Sequence, residues 1–536
     1  MNALLEKFRT CGLGVFSVAL LLISNACADD LWLPSIFSEG MVLQREMAVP
    51  VWGRATPGAK ITATLYRGGD KLAEVSTTAA ETDGRWRVDL PPQAGGGERH
   101  SLLLTAKTPD SAKEEMRLFS NVLIGDVWLI CGQSNAQLPM DACAEREDAI
   151  ARRHEFPLIR VAATGARNSH EVTKPQEDTR GFWGPVKWED AAWTVTRNSS
   201  YDVPGSSSGV SYFFARALSE WMGGEIPIGM LEVTQILPVE TWMDPEVASD
   251  VPELARLIGQ GYPHATGRSF LANIAPLAPY ALRGVIYYQG EANASRSFEY
   301  YHGLKTVIAS WRRAWARPNL PFLIVQLPGY MGSGDGNHPR SPLDMPEDLL
   351  RVFDGRNVDH PYCFIREAQL RVSREVPGVG LTVIIDKGEK YDIHPPQKQP
   401  VGERLARLAR TTAYGDNTVV GEGPVPSDFR LEGDRYVISF GAGAPLTGLA
   451  ESPGGGLKGF ELRNAEGTWH PAEAVIQDAI VIVQAQNVSQ PTGVRYAWAG
   501  FPEVSLYDTT GLPATPFVSP PPDLTKQPKP AAPTTE

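Results

Sequence analysis

Cysteine is scarce in this chain, with five in 536 residues, and Cys11 and Cys27 fall within the first 28. The other three, Cys131, Cys143 and Cys363, are too few and too odd in number for a disulfide framework. A bridge between Cys131 and Cys143 is conceivable from their closeness in sequence, but free buried thiols are the simpler expectation. Basic runs are missing too. With 50 Lys and Arg against 62 Asp and Glu, the formal charge is −12, which disfavours nucleic acid and anionic membrane surfaces as partners. Beyond residue 28 no apolar stretch is long enough to span a bilayer. No His, Cys and carboxylate group has metal-ligand spacing, and no glycine-rich loop is built for phosphate. Neither a metal nor another cofactor is therefore expected.

Proline and glycine are plentiful, at 44 and 51, which favours many turns and extensive β structure. Residues 1–28 carry Lys7 and Arg9, an apolar core over 12–23 and then Ala26-Cys27-Ala28. This is the layout of a secretory signal peptide cut before Asp29. It implies export to a periplasm or out of the cell, with a lipid anchor on Cys27 the less expected variant because Ser24 stands where a larger apolar residue is usual. Loss of Glu6, Lys7 and Arg9 removes a net +1 and takes the charge from −12 to −13. Short strands punctuated by turns over residues 29–121 predict an antiparallel β-sandwich. Residues 122–415 alternate buried strands (227–231, 282–288, 321–327, 380–386) with helical patterns (210–222, 301–316, 367–374, 402–414). That alternation predicts an α/β layered domain with a mainly parallel sheet. Strands return over 416–518 as a second β domain, and the Pro-rich residues 519–536 read as a disordered tail.

Three loops carry the candidate chemistry, each after an apolar strand, where open α/β sheets place their ligands. Gly132-Gln133-Ser134-Asn135 follows the run Val127 to Cys131 and exposes one hydroxyl, a nucleophile if a base reaches it. Tyr391-Asp392-Ile393-His394-Pro395 supplies an imidazole to accept that proton. Its carboxylate either orients the ring or caps the turn. Gln289-Gly290-Glu291-Ala292-Asn293 supplies an amide able to donate to an oxyanion, as can the Ser134 N–H.

Together these blocks resemble the SGNH (GDSL-like) hydrolases and, within them, the sialate O-acetylesterase family of carbohydrate esterases. The resemblance spans nearly all of the chain after the leader. It also includes Leu33-Pro34-Ser35-Ile36-Phe37, Val51-Trp52-Gly53, Arg366-Glu367-Ala368-Gln369, Arg495-Tyr496-Ala497-Trp498 and Gly511-Leu512-Pro513-Ala514-Thr515-Pro516-Phe517. It implies a flavodoxin-like three-layer α/β/α hydrolase domain of SGNH type with flanking β-sandwich domains. It further implies Ser134 as nucleophile, His394 as base and then acid, Asp392 as orienting carboxylate, and Asn293 and Ser134 in the oxyanion hole. The substrate would be an acetylated sugar, with sialic acid and acetylated xylan or xyloglucan both open. No arginine can be assigned to a sialic acid carboxylate, which tilts the reading slightly toward plant polysaccharide.

One segment departs from the family pattern. Where relatives carry a Trp-Gly-Gly-Thr-like stretch, this chain has Thr234-Gln235-Ile236-Leu237-Pro238, so Ile236 or Leu237 would have to supply the third donor. Gln133, Gln289 and Glu291 either bind substrate or brace the loops. Trp242 and Trp128 either stack on a sugar or pack the core, and Arg366 with Glu367 reads as a buried structural pair. A catalytically weak glycan-binding protein on the same scaffold is the competing reading, and the oligomeric state is left open.

Overall fold

The computed structural model describes residues 31–109, 114–163, 172–178, 181–187, 207–258, 266–294, 296–332, 360–441, 443, 445–448 and 456–525. The signal-like stretch 1–28 lies outside them, as does much of 142–208, which is rich in charge, Asn, Ser and Gly and whose sequence reads as a long surface excursion. Seven strands open the fold: β1 Val42–Gln44, β2 Val49–Arg54, β3 Lys60–Arg67, β4 Asp70–Thr78, β5 Arg85–Leu90, β6 Gly96–Lys107 and β7 Glu114–Gly132. β5 alternates exposed Arg85 and Arg87 with buried Trp86 and Val88, the pattern of a sheet packed on one face only. β2 pairs with β5, while β4, β3, β6 and β7 follow one another as antiparallel neighbours.

β7 is 19 residues long and changes character halfway. Up to Asn121 it alternates as an antiparallel partner of β6, and from Val122 to Gly132 every residue is buried. Continuous burial is what a parallel sheet covered on both faces requires. There β7 becomes the middle strand of β13-β12-β11-β7-β10-β8-β9, where β8 is Ile159–Ala163, β9 Phe182–Pro185, β10 Ile228–Thr234, β11 Gly284–Tyr288, β12 Phe322–Val325 and β13 Val379–Thr382. All these pairings are parallel except β8 with the edge strand β9. Asp126 marks the crossing point. It is buried, accepts from Gln44 and Tyr414, and pairs with Arg45 and Arg283 at 3.0 and 2.8 Å. Burial would raise its pKa, but the two guanidinium groups win and hold it low.

The helices near the sheet are α1 Ser134–Gln137, α2 Gly209–Trp221, α3 Ser297–Ala314, α4 Pro361–Glu375 and α5 Gln399–Tyr414. α2 packs on α5, and α3 on α4. Trp128 of β7 lies 5.0 Å from Phe214 of α2 and 6.3 Å from Tyr414 of α5, centre to centre. Its register partner is Gly284, where a Cβ would meet the Trp128 ring at 2.6 Å. Tyr287, an odd number of residues further on, packs against Trp311 of α3 at 6.3 Å. Side chains alternate along a strand, so the two helix pairs contact residues of opposite parity.

The four expected helices appear as α2 to α5, with α4 starting at Pro361 instead of residue 367 and the other ends shifted less, while the short α1 has no counterpart in the sequence pattern. The strand expected over 380–386 instead stops at Thr382, and Ile385–Lys387 forms a 3-10 turn. Val383, Ile384 and Ile385 are buried all the same, and an apolar run reports burial without reporting conformation. The three cysteines are free, so no Cys131–Cys143 bridge exists. Among the described residues no helix is long and apolar enough to cross a membrane.

From Pro426 on the strands form two four-stranded antiparallel sheets, one in the order Pro426–Glu432, Arg435–Phe440, Ile480–Gln484 and Glu473–Gln477, the other Trp469–Pro471, Phe460–Arg463, Gly493–Tyr496 and Phe517–Ser519, around a separate apolar cluster that includes Ile438, Leu462 and Val481. The tail expected to be disordered from Ser519 is placed as far as Thr525. Leu524 is buried, and the Pro522 carbonyl accepts from Arg371. Arg366 and Glu367 do not pair. Neighbours on a helix diverge in direction, and Arg366 instead donates to the carbonyls of Leu327, Pro328, Ala499 and Gly500.

Candidate active site

Two glycines set the geometry at the carboxyl ends of β7 and β11. Gly132 has φ +152°, and a Cβ there would lie 1.9 Å from the Tyr288 carbonyl oxygen. Gly290 has φ +157°, and a Cβ would meet Ile365 at 2.9 Å. Only glycine lets the two strand ends turn this close together. Gln133 N–H donates to the Tyr288 carbonyl, and α1 then starts with Ser134.

Ser134 Oγ lies 2.8 Å from His394 Nε2 across 260 residues of chain. The His394 loop is pinned from both ends. The Pro396 carbonyl accepts from Ala144 N–H, the Glu145 carboxylate accepts from Lys398 N–H, and the Ile393 carbonyl accepts from Asn135 Nδ2 at 2.9 Å. Burial lowers the His394 pKa and the nearby Lys398 lowers it further, while Asp392 opposes both. The ring is thus neutral at neutral pH and able to take the serine proton.

Asp392 does not sit as a triad carboxylate is expected to. Its Oδ1 accepts the His394 backbone N–H at 2.8 Å but stands 3.9 Å from His394 Nδ1, beyond hydrogen-bond reach. Its side chain is 65 % exposed. The carboxylate caps the turn, the alternative that its place in the loop had left open.

Asn293, in the 3-10 turn Glu291–Asn293, is buried and held at both ends of its amide. Oδ1 accepts from Val239 N–H and Gln289 Nε2, each at 2.8 Å, and Nδ2 donates to Glu240 at 3.2 Å. Glu240 is also paired with Arg296 at 2.9 Å. One Nδ2–H is engaged this way, and an amide nitrogen carries two. The glycine-free segment runs alongside, with Gln235 N–H on the Gly132 carbonyl and Leu237 N–H on the Gln235 carbonyl. Ile236 between them is 37 % exposed.

Gln133, Gln289 and Glu291 brace the loops. Gln133 Oε1 accepts from Gln289 Nε2 and from the backbone N–H groups of Gly290 and Ala292. The Gln289 carbonyl accepts from Tyr300 and Gln369. Glu291 Oε1 accepts from Asn135 Nδ2 at 2.8 Å. Trp242 and Trp128 are both fully buried, so neither ring presents a face for a sugar. Trp242 belongs to the core near α3, where its carbonyl accepts from Trp311. Tyr391, within the histidine loop, does reach solvent and is 56 % exposed.

Two residues at this site escape a reading of the sequence. Glu240 sits in an apolar-flanked turn and gives no signal of its own. Lys398, just ahead of α5, looks like an ordinary surface lysine but is fully buried, with Nζ 2.8 Å from Asn135 Oδ1. Among the described residues no group of three or more His, Cys, Asp and Glu is placed to hold a metal.

Comparison with known proteins points to the carbohydrate esterases. Residues 124–341 match the family model described as carbohydrate esterase, sialic acid-specific acetylesterase. Sialate O-acetylesterases of Pongo abelii and Homo sapiens are 26 % and 25 % identical over 538 residues, covering 95 % of this chain and 96 % of each relative. A carbohydrate acetylesterase from Xanthomonas citri, solved by crystallography, is 30 % identical with a TM-score of 0.72, covering 91 % of this chain and 99 % of its own. The chain is therefore an esterase and belongs to the sialic acid-specific acetylesterase family of carbohydrate esterases.

Proposed function

We propose that the protein is an exported carbohydrate O-acetylesterase working through an acetyl-enzyme on Ser134. The observation that carries this reading is the 2.8 Å contact between Ser134 Oγ and His394 Nε2 at the strand ends. Ser134 Oγ attacks the acetyl carbonyl as its proton passes to Nε2. The tetrahedral oxyanion is met by the Ser134 N–H, the second Asn293 Nδ2–H and the Ile236 N–H, which has no acceptor among the described residues. Collapse expels the sugar alkoxide, which takes the proton from Nε2. Water then loses a proton to the same nitrogen and attacks the acetyl-serine, and Ser134 leaves with that proton as acetate departs.

The opposite parity of the Trp128 and Tyr287 contacts supports a flavodoxin-like three-layer α/β/α arrangement of SGNH type. The domain division is then 29–121, 122–415 and 416–518, with residues 1–28 as the export signal to periplasm or medium. Acetylated sialic acid and acetylated xylan or xyloglucan are the substrate classes.

Acetate release from each of these and from 4-nitrophenyl acetate, by wild type and Ser134→Ala, tests the reading. We expect Ser134→Ala to lose about 10⁴-fold or more in kcat/KM. Equal rates would remove Ser134 from the mechanism. The exposed Asp392 favours one second reading, a weakly catalytic glycan binder. Glycan binding by wild type with no acetate release from any of the esters would establish it.

A further inference from the structure

Three loops that are distant in sequence converge on one buried amide. Asn135, next to the nucleophile, donates from Nδ2 to Glu291 Oε1 in the Asn293 loop and to the Ile393 carbonyl in the histidine loop, at 2.8 and 2.9 Å. Its Oδ1 accepts from Lys398 Nζ at 2.8 Å. An amide has one acceptor end and one donor end, and an ammonium can only donate. Lys398 holds the acceptor end of Asn135 while Glu291 and the Ile393 carbonyl hold its donor end, and Asn135 ties the serine loop to the histidine loop.

The lysine is an expensive choice for this task. Lys398 is fully buried yet makes no ion pair among the described residues. Beyond Asn135, its Nζ sits 5.6 Å from the centre of the Tyr288 ring. An ammonium without a carboxylate partner is seldom kept in an interior unless its charge is used. Burial draws its pKa down to about 8, against the pull of Cys143, Glu291, Glu145 and Asp392, which all face it at longer range. His394 faces it too, and the ammonium disfavours the charged imidazolium there.

We propose that Lys398 is a positioning residue for the esterase reaction. Its buried ammonium fixes the Asn135 amide, and with it the Ser134–His394 contact, and holds a positive charge beside the imidazole. This rests on the reading of Ser134 and His394 as nucleophile and base. Without the ammonium, Asn135 Oδ1 is buried without a donor and the two loops lose their common anchor.

The test is the pH profile of kcat/KM on 4-nitrophenyl acetate for wild type, Lys398→Met, Asn135→Asp and Ser134→Ala. Lys398→Met removes the charge, so the His394 pKa rises and the acidic limb moves to higher pH by about half a unit or more. The loosened contact lowers kcat roughly 10- to 100-fold with KM little changed. Asn135→Asp keeps the size of the side chain, cannot donate to the Ile393 carbonyl and adds a negative charge, so its limb moves the same way. If Lys398→Met does not fold, Lys398→Gln decides the matter, because it also removes the charge, so that its limb moves the same way, but keeps an N–H donor for Asn135 Oδ1. A purely structural role would lower the amount of active enzyme and leave the limb where it is. An unmoved limb in a folded variant, with Ser134→Ala inactive, overturns the role of Lys398 alone. Full activity in Ser134→Ala overturns instead the reading it rests on.

Discussion

On the oxyanion side of Ser134, Asn293, Gln289, Gln133 and Glu240 are buried and bonded to one another or to backbone. On the histidine side, Asp392 stands 65 % exposed and holds only a backbone N–H. Donors aimed at a developing oxyanion act by being fixed before charge appears, in a region that water does not reorganise. A proton shuttle has a different requirement, because the leaving sugar and the incoming water must both reach Nε2. The molecule buries the groups around Asn293 and leaves exposed the carboxylate that stands beside the half-buried imidazole of His394. Lys398 and Asn135 supply from beneath the order that Asp392 does not.

Three substitutions break or sharpen this contrast. Asn293→Ala removes the fixed donor, and we expect kcat on 4-nitrophenyl acetate to fall about 10²- to 10³-fold with KM nearly unchanged. Steady-state kinetics checks this, and a loss in KM alone would make Asn293 a binding group. Asp392→Asn should cost only ~10-fold in kcat, against the ~10⁴-fold known for a triad carboxylate bonded to its imidazole. A loss near the larger figure would mean that the carboxylate closes onto Nδ1 during turnover, and the contrast would vanish.

The smallest effect on rate is expected from Glu232 on β10, the strand leading to Ile236. Burial raises its pKa to about 7. A raised folded-state value means stability that is fully present below the unfolded carboxylate range and lost as pH rises through 7. The shift corresponds to roughly 3 kcal/mol at most. Thermal unfolding followed from pH 4.5 to 7.5 should therefore show Glu232→Gln with a flatter decline than wild type, at nearly wild-type activity. A parallel decline would place the titration elsewhere.

Much of this site could be read from the sequence because its chemistry is local. Ser134 and Asn293 stand just past apolar strands, His394 lies in the longer loop that follows β13, and parallel strands deliver their ends to one edge. What could not be read depends on partners far along the chain. Nothing near residue 398 signals that its ammonium meets an amide 263 residues away. Asp392 and His394 lie close enough in sequence to suggest a side-chain bond, but the turn directs the carboxylate to the backbone instead. Trp128 and Trp242 show the same limit, since composition marks an aromatic ring without saying whether a helix will cover it.

The length of β7 has a consequence for how this protein holds together. Its first half is a ladder of the N-terminal sheet, and its second half ends at Gly132, two residues before Ser134. One apolar core runs without interruption from Ile61 and Leu104 of that sheet to Leu129 and Ile286 of the central one, while the C-terminal strands keep a core of their own. Asp126 adds a charged rivet at the seam, joining Arg45, Arg283 and Tyr414. Cooperativity follows contiguous packing. The N-terminal sheet is thus no detachable appendage: we expect it to melt as one unit with the strand that leads to Ser134, while the C-terminal β region, which has a large cluster of its own among the described residues, is the part able to open separately.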